Sequence, residues 1–102
     1  SRKSENKIRS KIKEFLHRSG HFAPAKVSHG LNGILRGWFN YFQISGVSYT
    51  ANSKRKIRFY LYERLFRYYN RKSQRRSSLY GPQALSILEG KYQLINPTNY
   101  FT

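Results

Sequence analysis

The sequence contains no cysteine, so no disulfide framework can staple it and no cysteine–histidine zinc site can form. That fits a reducing compartment. Aspartate is absent too, and the only carboxylate side chains are Glu5, Glu14, Glu63 and Glu89. Two-metal phosphoryl transfer needs clustered carboxylates, which four scattered glutamates do not supply. Seven glycines never fall into a GxxxxGK phosphate loop or a GxGxxG run. His17, His21 and His29 match no compact metal-ligand spacing and read as surface or phosphate-contacting side chains. No apolar run approaches the ~18 to 20 residues of a membrane span, and no apolar signal segment follows the basic N-terminus. Methionine is missing even at position 1, so the chain is expected to be a piece of a longer parent. By itself it is expected to be no enzyme and to carry neither cofactor nor metal.

Positive charge is abundant. Twenty Lys and Arg stand against four acidic residues, a formal net charge of +16 over 102 residues. Self-repulsion at that level opposes compaction unless a polyanion neutralises it. A nucleic acid is the expected partner, ahead of an anionic membrane or a merely solvated surface. Only 38% of residues are hydrophobic, but 17% are Phe, Tyr or Trp, and large rings bury much area each. One small domain spanning 1–102 is therefore expected, able to close a modest core.

The spacing of apolar residues predicts an all-α fold: three main helices in a small bundle, a short C-terminal helix and an irregular tail. Ile8, Ile12, Phe15 and Leu16 share one face of a helix over 4–19, capped by Ser4 and ended by Gly20. Glu14 and Arg18 are placed for a surface ion pair, as are Glu63 and Arg67. A second helix, 24–45, starts at Pro24 and carries a stripe of Val27, Leu31, Ile34, Leu35, Trp38, Tyr41 and Phe42 up to Gly46. A break near Gly30 would divide it. After the loop GVSYTANS, Asn52 or Ser53 can cap a third helix over 53–72, with Ile57, Leu61, Leu65 and Tyr68 facing the core. Phe59, Tyr62, Phe66 and Tyr69 lie on roughly the opposite half. A helix with two apolar faces is either sandwiched or uses one of them for a partner. KSQRRSSLYG reads as a linker; 82–89 reads as the short helix, ended by Gly90. In the tail, 90–102, Tyr92 and Leu94 are the residues able to dock on the core.

From Lys54 to Arg76, ten of 23 residues are basic, with six Tyr and Phe threaded among them. Guanidinium groups offer a planar fork for phosphate oxygens and a flat face for bases. Six such groups on a duplex would give a log–log salt slope of roughly −5. A helix-turn-helix reader of DNA carries a tight turn between its helices; the loop after Gly46 is longer, and base-reading Asn and Gln are sparse on the third helix. Basic-plus-aromatic composition favours structured RNA, met through shape, phosphates and stacking. The ordinary reading of each aromatic taken singly is core packing.

The stretch LNGILRGWFNYF, Leu31 to Phe42, combines good helical spacing with glycines. Gly30, Gly33 and Gly37 fall within roughly a 60° arc beside the Trp38 stripe, and each costs about 1 kcal/mol relative to alanine. Something is expected to approach the backbone there, either a neighbouring helix or an RNA backbone. This stretch resembles the "LNPxLRGWxNYF" signature of the maturase domain, or domain X, of group II intron-encoded reverse transcriptases. KRKIRFYLYERLFRYYNRKSQRR is similar to that family's arginine-rich "RRRLRRxLRRK" helix, and LYGPQALSILEGKYQLINP resembles its "LYxxLGLYRL" ending. The similarity covers about residues 27 to 97. Gly33 stands where relatives often have proline, a departure that favours a helix break there.

The resemblance implies a domain that follows the polymerase fingers and palm and acts as the thumb. It implies binding to group II intron RNA that stabilises the splicing-competent fold, and a part in holding the RNA–DNA primer–template during reverse transcription. The catalytic palm would lie upstream in the parent, and the location would be the cytoplasm of a bacterium, with an organelle as the alternative. A helical DNA-binding module of a recombinase or regulator is the rival reading. The expected core is Ile8, Ile12, Phe15, Leu31, Leu35, Trp38, Phe42, Ile57, Leu61 and Leu65. The expected nucleic-acid contacts are Arg55, Lys56, Arg58, Arg64, Arg67, Arg71, Lys72, Arg75 and Arg76, with Lys7, Lys11 and Arg36 as secondary candidates.

Overall fold

The structure is a computed structural model that describes residues 2–20, 22–45, 51–71 and 74–99, with side chains outside 2, 41–45 and 51. Four α-helices run in order: α1 (Arg2–Arg18), α2 (Pro24–Ser45), α3 (Ala51–Tyr69) and α4 (Ala84–Lys91). A 3-10 turn, Pro97–Asn99, closes the described chain. No strand occurs among the described residues, and the fold is all-α. The molecule is elongated, 45 × 23 × 20 Å.

The apolar stripes meet where the spacing brings them together. Helix α1 packs on both α2 and α3, while α4 and the 3-10 turn pack on α3. Ile8, Ile12, Leu16, Val27, Leu31, Leu35, Ile57, Leu61 and Leu65 are buried, and Trp38 is among them. Phe15 is only partly buried at the edge of this core. Phe42, also expected there, lies outside the described side chains, as do Tyr41, Gly46 and Lys72. Phe39 is fully buried instead, with its ring centroid 5.4 Å from that of Trp38.

Several ends fall elsewhere than the pattern predicts. Helix α1 begins at Arg2, so Ser4 sits inside its first turn and not at its cap. Ser53 is likewise inside α3; its hydroxyl donates to Glu5 (3.0 Å), tying α3 to α1 across the core's edge. At the other end, α3 stops at Tyr69, where side chains donate to its last carbonyls. Asn70 Nδ2 donates to the Phe66 oxygen (2.7 Å) and Arg71 Nε to the Tyr68 oxygen (2.7 Å). The expected linker is a run of tight turns: Gln74, Ser77 and Tyr80 each donate a backbone N–H three residues back, and Leu79 is buried in the core. Helix α4 passes through Gly90; the chain leaves it at Gln93, whose φ of 60° is left-handed. Leu94 then docks on the core.

Helix α2 is unbroken from Pro24 to Ser45. Its three glycines do different things. Gly30 meets the tip of the Phe15 ring of α1, which occupies the space that a Cβ would need. A Cβ at Gly33 or Gly37 would meet nothing within 4 Å. One glycine therefore seats a helix, as a close approach requires, and two leave surface open. Between them, the buried Asn32 reaches the C-terminal segment: its Nδ2 donates to the Gln93 oxygen (3.0 Å) and its Oδ1 accepts from the Ile95 N–H (2.8 Å).

These environments give opposite signs to one substitution. Gly33→Ala gains helix propensity with no clash and should raise stability by about 1 kcal/mol. Gly30→Ala must displace the Phe15 ring, an overpacking cost of roughly 1 to 3 kcal/mol that outweighs the same gain. Urea denaturation of both variants checks this, with G30A expected below the parent and G33A above it.

Candidate nucleic-acid interface

The basic residues are distributed by the helices that carry them. On α3, with about 100° per residue, Lys56, Arg64 and Arg67 fall within an arc of about 80° that borders the Ile57–Leu61–Leu65 core stripe. Lys56 and Arg67 are exposed and Arg64 is half-buried. Helix α1 lies beside this arc. Its Arg9 sits 5.9 Å from the centroid of the Tyr60 ring, and Arg64 approaches the same ring at 6.0 Å. Tyr60 thus lies within cation–π reach of two guanidinium groups, one from each side of the α1–α3 seam. Lys56, Arg64, Arg67 and Arg9 form one basic band. Arg9 was not among the expected contacts; its signal is its position four residues after Glu5, on the flank of α1 that faces α3.

Two of the expected contacts serve the fold. Arg58 makes a bidentate pair with Glu89 of α4, through Nη2 to Oε1 (2.8 Å) and Nε to Oε2 (3.1 Å). The Glu89 hydrogen bond raises the Arg58 pKa further above its already high value, against a smaller desolvation effect. Arg71 lies 4.4 Å over the Tyr68 ring, caps the Tyr68 carbonyl, and points Nη2 at the Gly20 oxygen (3.5 Å). Tyr68 donates its hydroxyl to the Ser19 carbonyl in the same corner, and burial raises its pKa despite Arg71. Burial also pushes the Tyr69 hydroxyl well above the usual phenol range. All these groups keep their protonation across the physiological range.

The remaining candidates lie elsewhere. Arg55 is exposed near the start of α3, Arg75 and Arg76 are exposed in the turns after it, and Arg36 is exposed on α2. Lys72 lies outside the described residues. Lys7 and Lys11, with Lys3, stand one turn apart along α1 and wall a groove of about 450 Å³ between α1 and α2. Its floor is Ile8, Ile34 and Trp38, and Gly37 opens its rim. This groove is on the opposite flank of α1 from Arg9, so the positive charge forms a band and a separate groove, not one ridge.

The carboxylates explain why so much charge stays free. Glu14–Arg18 and Glu63–Arg67 do not pair; among the described residues the ion pairs are Arg9–Glu5 (3.7 Å) and Arg58–Glu89. Exposed pairs return little for the side-chain freedom they cost, whereas Glu5 and Glu89 each join two helices. No group of His and Glu able to hold a metal occurs among the described residues, and no described helix is long and apolar enough to cross a membrane.

Comparison with known proteins adds one finding. Residues 5–82 match the family model described as the group II intron, maturase-specific domain. No curated protein and no solved structure is significantly similar to the chain. The matched span takes in α1, α2, α3 and the turns after them, and stops before α4.

The structural and the free arginines should separate experimentally. Arg71→Ala should lower stability by about 1 kcal/mol or more through its lost carbonyl hydrogen bonds. Arg67→Ala, on an exposed side chain, should change it by less than about 0.5 kcal/mol. Thermal denaturation of the two variants decides this.

Proposed function

The chain belongs to the group II intron maturase-specific domain family, and from that premise we propose that it is a noncatalytic RNA-binding module. Its ligand is the folded RNA of a group II intron, which it holds in the arrangement from which the RNA splices. The observation that carries this reading is the band of Lys56, Arg64 and Arg67 beside Arg9, fixed on two packed helices and matched by few carboxylates. A compact RNA brings phosphates close together at an electrostatic cost. A rigid cationic surface offsets that cost where two RNA segments meet, and its rigidity means little ordering entropy is lost on binding. In a parent that carries a polymerase palm upstream, the domain would act as the thumb and the same band would hold the RNA–DNA primer–template, in the bacterial cytoplasm or an organelle.

Binding to intron RNA should weaken steeply with salt. Replacing Lys56, Arg64 and Arg67 together by alanine should reduce the log–log salt slope by about 2 while helix content is kept. Filter binding over a salt series on both proteins measures the two slopes. An unchanged slope, or a preference for duplex DNA over intron RNA at equal salt, would overturn the proposal and favour a DNA-binding module.

A further inference from the structure

Helix α3 carries a third surface besides its core stripe and its basic band. Phe59, Tyr62 and Phe66 are exposed by 62%, 38% and 39%. Their rings are stacked on each other: Phe59 and Tyr62 at 6.4 Å between centroids and 25° between planes, Tyr62 and Phe66 at 6.3 Å and 20°. The result is a short ladder of near-parallel rings along the outer face of a helix, on the side away from Leu61.

Exposed rings usually cover something, and the surroundings of these say what. All the large hydrophobic side chains exposed among the described residues are aromatic, the fourth being Tyr80. No exposed leucine, isoleucine or valine extends the ladder into a broad apolar patch. The rim is cationic. Arg55 falls on the line of the ladder by helical spacing, and Lys56 and Arg67 lie along one edge of it. All three are exposed and make no ion pair among the described residues. Glu63 is the one carboxylate on the arc, outnumbered by three cations. Flat π faces set within positive charge complement a ligand whose own flat faces are strung on negative charge.

We infer that the Phe59–Tyr62–Phe66 ladder is a stacking platform for unpaired nucleobases of the bound RNA, with Arg55 in line with the rings and Lys56 and Arg67 along one edge holding the phosphates. The inference rests on the RNA-binding reading above and deepens it: the domain takes single-stranded loop or junction nucleotides, not only paired stems. Bases within a duplex are already stacked on their neighbours and cannot lie on these rings. Stacking tolerates any base, so the platform recognises unpairedness and not sequence.

The test compares two RNAs of equal length and charge, a hairpin with a long unpaired adenosine loop and a fully paired duplex. The 102-residue protein is measured against its Phe59→Ala/Tyr62→Ala/Phe66→Ala variant. Loss of stacking should weaken hairpin binding roughly tenfold or more, leave duplex binding within about twofold, and leave the salt slope unchanged, because no phosphate contact is removed. The ring-conserving variant Phe59→Tyr/Tyr62→Phe/Phe66→Tyr should bind the hairpin like the parent. Hairpin affinity unaltered by the alanine variant, or an equal loss on hairpin and duplex, overturns the inference. Should the triple variant lose helix content by circular dichroism, Phe59→Ala alone is read by the same criteria, since that ring is mostly in solvent. Failure of the parent protein to bind either RNA would instead overturn the RNA-binding reading itself.

Discussion

The constraint on which everything else depends is electrostatic self-repulsion. A chain of 102 residues with a formal charge of +16 resists collapse, and only a continuous apolar core can oppose that. The core is built by the stripes of α1, α2 and α3, with Ile12, Leu31, Leu35, Ile57, Leu61 and Leu65 wholly withdrawn from water. The scarce carboxylates go where they do most. Glu5 joins α1 to α3 and Glu89 joins α4 to α3, leaving the outer surface almost wholly positive. A protein with more acidic residues would fold more readily and present a weaker field to a polyanion.

Helix α3 shows how one segment satisfies three demands. Its inner stripe is aliphatic and closes the core. One flank is basic and borders α1 through the shared Tyr60 ring. Its outer face bears the aromatic ladder. Because a helix turns about 100° per residue, three chemistries can be interleaved in sequence yet separated in space. The mixture of arginine, leucine and tyrosine between Lys54 and Tyr69 is this separation written in one dimension.

Much of the fold was legible for that reason. Residues three and four apart that are large and apolar share a face whatever their neighbours are, so Ile8, Ile12, Leu31, Leu35, Ile57 and Leu61 could be assigned to a core from spacing alone. Contacts between residues distant in sequence could not. Nothing local distinguishes Arg58 and Arg71, committed to Glu89 and to the carbonyls of Tyr68 and Gly20, from Lys56 and Arg67, which are free. The glycines misled for a similar reason: their arc predicted a close approach, but only Gly30 meets one, because the Phe15 ring reaches α2 at that single turn. The helix caps failed locally as well. Ser53 has the right chemistry for a cap, and a better partner in Glu5 forty-eight residues away.

Asn32 has a chemical consequence beyond its place in the core. Its amide uses both ends at once, giving a proton to the Gln93 carbonyl and taking one from the Ile95 N–H. A carboxylate of the same size could accept from Ile95 but would face the Gln93 oxygen with repulsion. The residue that follows is Gly33, and asparagine before glycine is the dipeptide most prone to spontaneous ring closure and loss of ammonia. Here Gly33 lies inside α2, and both ends of the Asn32 amide are engaged by the C-terminal segment. The folded C-terminal segment therefore occupies the very group through which such ageing would proceed, and that group in turn anchors the segment.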